Sequence, residues 1–211
     1  MTAPSYLPLK FFAAGVVSGL LCWLGGLLAP QNSILIKIFP GLIFGAALYA
    51  VGHHAALAPP RRHGLTFAIL VVVSIAAWRI AVDVGYMHGQ PWPMLAAGAL
   101  GALVLALGLV WAWGWRRGMV LSICAIVGTG ALVAQAVQWG WDAYPAMDEA
   151  VEVSVLFVGW QALVMLAIAL SAPTALLPEG PTFLSDVAAV ILTLTSSSAS
   201  NAVRTGVTCS A

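Results

Sequence analysis

The sequence predicts an all-α protein, a polytopic membrane bundle of six transmembrane helices with the N- and C-termini cytoplasmic. Three observations carry that expectation. First, 62% of the 211 residues are hydrophobic, only 7% are charged, and the mean hydropathy is +1.00. A soluble domain has about a quarter of its residues charged. Seven acids and eight bases cannot cover a water-soluble surface of this size, so lipid is the expected solvent for most of it. Second, the chain contains six long apolar runs, each near the ~20 residues needed to cross a hydrocarbon core. Third, two arginine doublets lie two runs apart, which places both on one side of the bilayer by the positive-inside rule.

The first run is Phe11–Ala29. It is longer than the apolar part of a secretory signal, about 7–15 residues, and lacks a small-x-small cleavage site at Leu27–Ala29, so a retained helix is expected. Pro30-Gln31-Asn32-Ser33 has turn and helix-start chemistry. The second run, Ile34–Gly52, carries Lys37 and Pro40-Gly41, a kink of the kind membrane helices tolerate. Gly15/Gly19 and Gly41/Gly45 each form GxxxG, a spacing that lets two helix backbones approach. Such faces serve either a partner helix or packing within the chain, most simply helix 1 on helix 2.

His53–His63, with Arg61-Arg62, is a short polar loop. The third run, Gly64–Val84, ends with Arg79 and Asp83 between Trp78 and Tyr86. The fourth, Met94–Trp113, is followed by Arg116-Arg117, and the fifth, Met119–Trp139, holds Gln135 and Gln138. An acidic loop with Asp142, Asp148 and Glu149 leads to the sixth, Val151–Leu170, with Glu152 at its start and Gln161 deeper. The six-helix domain is thus 1–170, followed by a tail, 171–211. Within the tail, residues 183–195 are too short to span but place Phe183, Val187, Val190, Ile191 and Leu194 on one helical face, as an interfacial helix does. Tryptophans at the run ends are expected as interface anchors: Trp92, Trp139 and Trp141 outside, Trp111, Trp113 and Trp115 inside.

With this topology the intramembrane polar residues gather at one depth. Lys37, Arg79, Asp83, Gln135, Gln138 and Glu152 all fall toward the outer ends of helices 2, 3, 5 and 6, and they are the candidate ligand-binding residues. An arginine in hydrocarbon costs about 2.5–3.5 kcal/mol on insertion scales. Arg79 therefore either snorkels outward, paired with Asp83 four residues on, or faces an outward-open polar cavity rimmed by Trp78, Tyr86, Trp92, Trp139 and Tyr144.

The function classes this excludes are clear. A net charge of +1 gives no basic surface for nucleic acid. Cys22, Cys124 and Cys209 are scattered and odd in number, so they frame no disulfide set and read as small packing residues. His53, His54, His63 and His88 all fall in predicted loops, which argues against haem held inside the bundle, and without acids or cysteines nearby they read as solvated rather than metal-bound. No catalytic motif is present, so no enzyme is expected, an intramembrane enzyme being the alternative, and no cofactor is indicated. The expected partners are the lipid bilayer and either other membrane subunits or a small solute, in a bacterial-type inner (plasma) membrane. The six-helix plan with both termini inside is similar to that of the substrate-binding components of vitamin-type uptake transporters. That likeness is architectural, covers only the helices and brings no matching motif, so it assigns no function.

Overall fold

The computed structural model describes residues 6–28, 34–55, 63–85, 92–114, 118–144 and 149–175. The side chains of residues 34–36, 149–153 and 172–175 fall outside that description, as do the expected interfacial helix at 183–195, both arginine doublets, Tyr86 and His88. The described residues form six helices: α1 (Leu7–Leu28), α2 (Ile34–His54), α3 (His63–Gly85), α4 (Pro93–Trp113), α5 (Met119–Ala143) and α6 (Glu149–Ala175). Each apolar run is helical because a helix satisfies its own backbone polar groups, which lipid cannot do.

The helices run beyond the apolar runs at most ends. α1 begins four residues earlier, with Pro8 in its first turn, where a missing N–H costs nothing. α5 continues through Asp142, and α6 passes Pro173 to Ala175. Hydropathy marks the segment in hydrocarbon, and a helix is free to continue through the headgroup layer. α2 continues through Pro40 without interruption. Gly114 (φ 86°) and Gly118 (φ 77°) bracket residues 115–117, each in the left-handed region that favours glycine.

Among the described residues, α1, α3, α4, α5 and α6 each contain a stretch long and apolar enough to cross a membrane. Among its described side chains α2 carries Lys37 near one end and His53-His54 at the other. The all-helical fold and its apolar spans are those of an integral membrane protein.

The helices form a closed ring in chain order. Each packs on its sequence neighbours, and α6 returns to α1. Glycines set the closest seams. A Cβ on Gly15 would stand 2.6 Å from Ala162 Cα, and one on Gly19 2.6 Å from Val158 Cα. Gly41 and Gly45 likewise lie against Ile75 and Val71 of α3. Both GxxxG faces therefore serve packing within the chain, but not between helices 1 and 2 as expected. The first seats α1 on α6 and the second seats α2 on α3. Proximity in sequence made α1–α2 the simplest pairing, but the glycine faces of these two helices are turned away from each other.

These pairs fix relative direction. Along α1 the numbers rise while those on α6 fall, and the same holds for Gly41–Ile75 and Gly45–Val71 on α2 and α3. Gly101 beside Ala77 with Gly108 beside Val73, and Gly98 beside Ala134 with Ala102 beside Gly130, extend the alternation through α4 and α5. One end of the bundle thus gathers the end of α1, the start of α2, the end of α3, the start of α4, the end of α5 and the start of α6. The buried core includes Phe11, Leu48, Leu70, Leu105, Val164 and Met165.

Candidate functional site

The gathered end carries the predicted site residues. Lys37 is in the first turn of α2, Arg79 and Asp83 are in the last two turns of α3, Gln135 and Gln138 approach the end of α5, and Glu152 is in the first turn of α6. Arg79 Nη2 donates to Asp83 Oδ1 at 2.9 Å, with the two side chains 37% and 61% exposed. Gln138 Nε2 donates to Asp142 Oδ1, also at 2.9 Å. Lys37 is exposed. Gln135 is only 5% exposed, and its Oε1 has no hydrogen-bond partner among the described residues. No hydrogen bond among the described residues joins Lys37, Arg79, Gln135 and Gln138 to one another, and the Glu152 side chain lies outside the description.

Helical geometry places the ion pair on the outer side of the ring. Ser74 is buried between α3 and its neighbours. Asp83 follows it by nine residues, about two and a half turns, and so lies on the opposite face of α3. Trp78, expected on the rim, follows Ser74 by one turn and points inward. Its ring meets that of Phe157 on α6 at 5.0 Å. Trp92, Trp139 and Tyr144 are exposed near the gathered end.

No protein-family model matches the chain, and neither does any curated protein or solved structure. The functional reading therefore rests on the residues themselves.

The most connected polar set lies deeper, in the interior. Ser18 Oγ donates to Gln161 Oε1 at 2.6 Å and also lies 3.0 Å from the Gly15 carbonyl. Gln161 Nε2 donates to Cys22 Sγ at 3.4 Å, and that thiol donates to the Pro40 carbonyl at 3.6 Å. Ser18, Cys22 and Gln161 are all buried. As oriented, the chain of donors runs one way through α1, α6, α1 and α2. A glutamine in a span is retained where a neighbouring helix supplies partners. The sequence singled out Gln161 by its polarity. It did not single out Ser18 or Cys22, because neither is costly in hydrocarbon. The available signal was their place on the Gly15/Gly19 face, Ser18 one residue before Gly19 and Cys22 one turn after Ser18.

At the opposite end, His53, His54 and His63 are not in loops as expected. His53 and His54 close α2, and His63 opens α3. The His53 ring stacks near Tyr49 at 5.8 Å and meets His63 edge-on at 4.6 Å. Trp113 is also no lipid-facing anchor. It is 9% exposed, and a Cβ on Gly52 would stand 2.7 Å from its ring. Trp111 on the same helix is exposed, as an anchor should be. Among the described residues no group of three His, Cys, Asp or Glu is placed to hold a metal.

Proposed function

We propose that the chain crosses a bacterial-type inner membrane six times, with both termini cytoplasmic, and serves as a non-catalytic solute-binding or transport component entered from its outer end. The observation that carries this reading is the convergence of Lys37, Arg79, Asp83, Gln135, Gln138 and Glu152 on one end of a ring whose helices alternate in direction. Counting helices from the arginine doublets makes that end the outer one. Arg79 paired with Asp83 lies at that end on the outward face of α3, a charged group beside the proposed entrance rather than within it.

Two experiments test it. Impermeant thiol reagents applied to intact cells should fail to label Arg62→Cys and Arg117→Cys in a cysteine-free background, and labelling of either from outside overturns the topology. In a thermal-shift screen of small polar solutes, at least one should protect the wild type and not Arg79→Ala. Equal protection of both removes Arg79 from the site.

A second reading, an accessory subunit of a larger membrane complex, draws on the outer face of α5. Cys124, Gly128 and Ala136 lie at multiples of four residues, Cys124 and Ala136 are exposed, and a Cβ on Gly128 would meet nothing within 4 Å. Co-purification with a defined membrane subunit in mild detergent would favour this reading, and a lone monomer would count against it.

A further inference from the structure

The α2–α3 seam keeps one register along its length. Gly41 lies against Ile75 and Gly45 against Val71, so each turn forward on α2 is matched by one turn back on α3. The next rung is Tyr49 with Phe67, whose rings meet edge-on at 5.2 Å. The rung after that is His53 with His63, also edge-on, with ring centroids 4.6 Å apart and planes at 89°. Tyr49 and His53, one turn apart on α2, have nearly parallel rings at 5.8 Å and 12°. The glycine rungs thus fix the register, and the register brings two imidazoles from different helices together. His53 is exposed and His63 half-buried, so the pair lies at the surface, where α2 ends and α3 begins.

The spacing of the pair has a chemical meaning. Imidazole is a ligand for divalent nickel, copper and zinc. With a metal–nitrogen bond of about 2.0–2.1 Å, each ring centre stands about 3.2 Å from the ion, so two imidazoles on one ion are about 4.5 Å apart at a right angle and about 5.2 Å apart at the tetrahedral angle. The 4.6 Å between His53 and His63 is the right-angle spacing, which belongs to tetragonal copper(II) and nickel(II) rather than to tetrahedral zinc. No hydrogen bond among the described residues engages either ring. His63 Nδ1 is buried, so Nε2 is the nitrogen of that ring left for an ion. His54 is 6.0 Å from His53 and about 100° further round α2, so it does not join the pair. Among the described residues no third His, Cys, Asp or Glu is placed to join them, and water would complete the coordination. His53 is in the last turn of α2, where unpaired carbonyls favour a cation.

We infer that His53 and His63 form a two-histidine site for a divalent metal ion of tetragonal preference, nickel(II) or copper(II), which ties the end of α2 to the start of α3. The site goes beyond the solute-binding reading and uses none of its residues. Arg61 and Arg62 directly precede His63 in the sequence, and their like charge sets a modest affinity. The test is isothermal titration calorimetry of the full, tag-free chain in detergent with nickel chloride, in a buffer that does not chelate metal. The wild type should take up nickel saturably at one site per chain. His53→Gln and His63→Gln should each weaken binding at least about tenfold, since even a group that only supports a ligand is worth that much. His54→Gln and His88→Gln should bind as the wild type does. Electron paramagnetic resonance of the wild type with one equivalent of copper chloride should show hyperfine coupling to two imidazole nitrogens, a count that needs no variant to fold. Absence of saturable nickel uptake by the wild type, or a copper spectrum with a single nitrogen, overturns the site. So does a loss of affinity in His54→Gln or His88→Gln equal to that in His53→Gln, which would mean binding by scattered surface imidazoles.

Discussion

Replacing Gly15 by alanine tests the α1–α6 seam that closes the ring. Its new Cβ would stand 2.6 Å from both Ala162 Cα and the Gln161 carbonyl oxygen, where ordinary contact begins at 3.4 Å. Both obstacles are backbone, so no side chain can swing aside, and α1 must retreat from α6 by about 1 Å. Overpacking of this kind costs about 1–3 kcal/mol. The retreat also stretches the 2.6 Å bond from Ser18 to Gln161, one turn along the same face. Hydrogen bonds between membrane helices contribute about 0.6 kcal/mol on average, so the steric cost dominates. Alanine's better helix propensity returns about 1 kcal/mol. The net expectation is a loss of about 2 kcal/mol. Reversible unfolding in mixed micelles on titration with SDS, followed by far-ultraviolet circular dichroism, measures it. Gly26→Ala is the control: it lies on the same helix, its Cβ would meet nothing within 4 Å, and it should be neutral or gain up to about 1 kcal/mol. If Gly15→Ala proves as stable as Gly26→Ala, the α1–α6 seam is not packed as described.

Gly130→Ala should destabilise by a similar amount in the same assay, since its Cβ would stand 2.6 Å from Ala102 Cβ and 2.8 Å from the Gly98 carbonyl oxygen, whereas Gly128→Ala should not. Gln161→Leu leaves Ser18 and Cys22 without their shared partner and should cost about 1–2 kcal/mol, with a smaller further loss when Ser18→Ala is added, because the two act as one unit. Arg79→Ala should change stability by less than about 1 kcal/mol, because the pair it breaks is exposed; a larger loss would mean that Arg79 is structural and that its effect on solute protection cannot be read as binding.

The element count and approximate bounds were legible because lipid imposes a single rule on every span. Met119 as the start of α5 and Trp113 as the end of α4 could be read directly from where the apolar runs meet the Trp115-Arg116-Arg117-Gly118 stretch. The gathering of Lys37, Arg79 and Gln138 at one end was legible for the same reason, since alternation of direction follows from repeated crossing. Rotation of each helix about its own axis was not. In lipid an apolar side chain gains as much from a hydrocarbon tail as from a neighbour, so hydropathy is nearly blind to which face turns inward. That is why Trp78 was placed on a rim while it reaches Phe157 across the interior, and why Trp113 was read as an anchor while it covers Gly52. Glycine spacing does mark a face, but not its partner.

The order of the ring has a consequence for how the protein is made. Helices emerging one after another can each dock on the one before, so five of the six seams can form as soon as the later helix is made. The α1–α6 seam cannot. Until the last helix arrives, the Gly15/Gly19 face of the first must wait against lipid, with the Ser18 hydroxyl turned back on its own carbonyl. The first-made helix therefore depends on the last-made one for its final partner, and stalled synthesis before residue 149 would leave an open, incomplete circle for quality-control proteases to find.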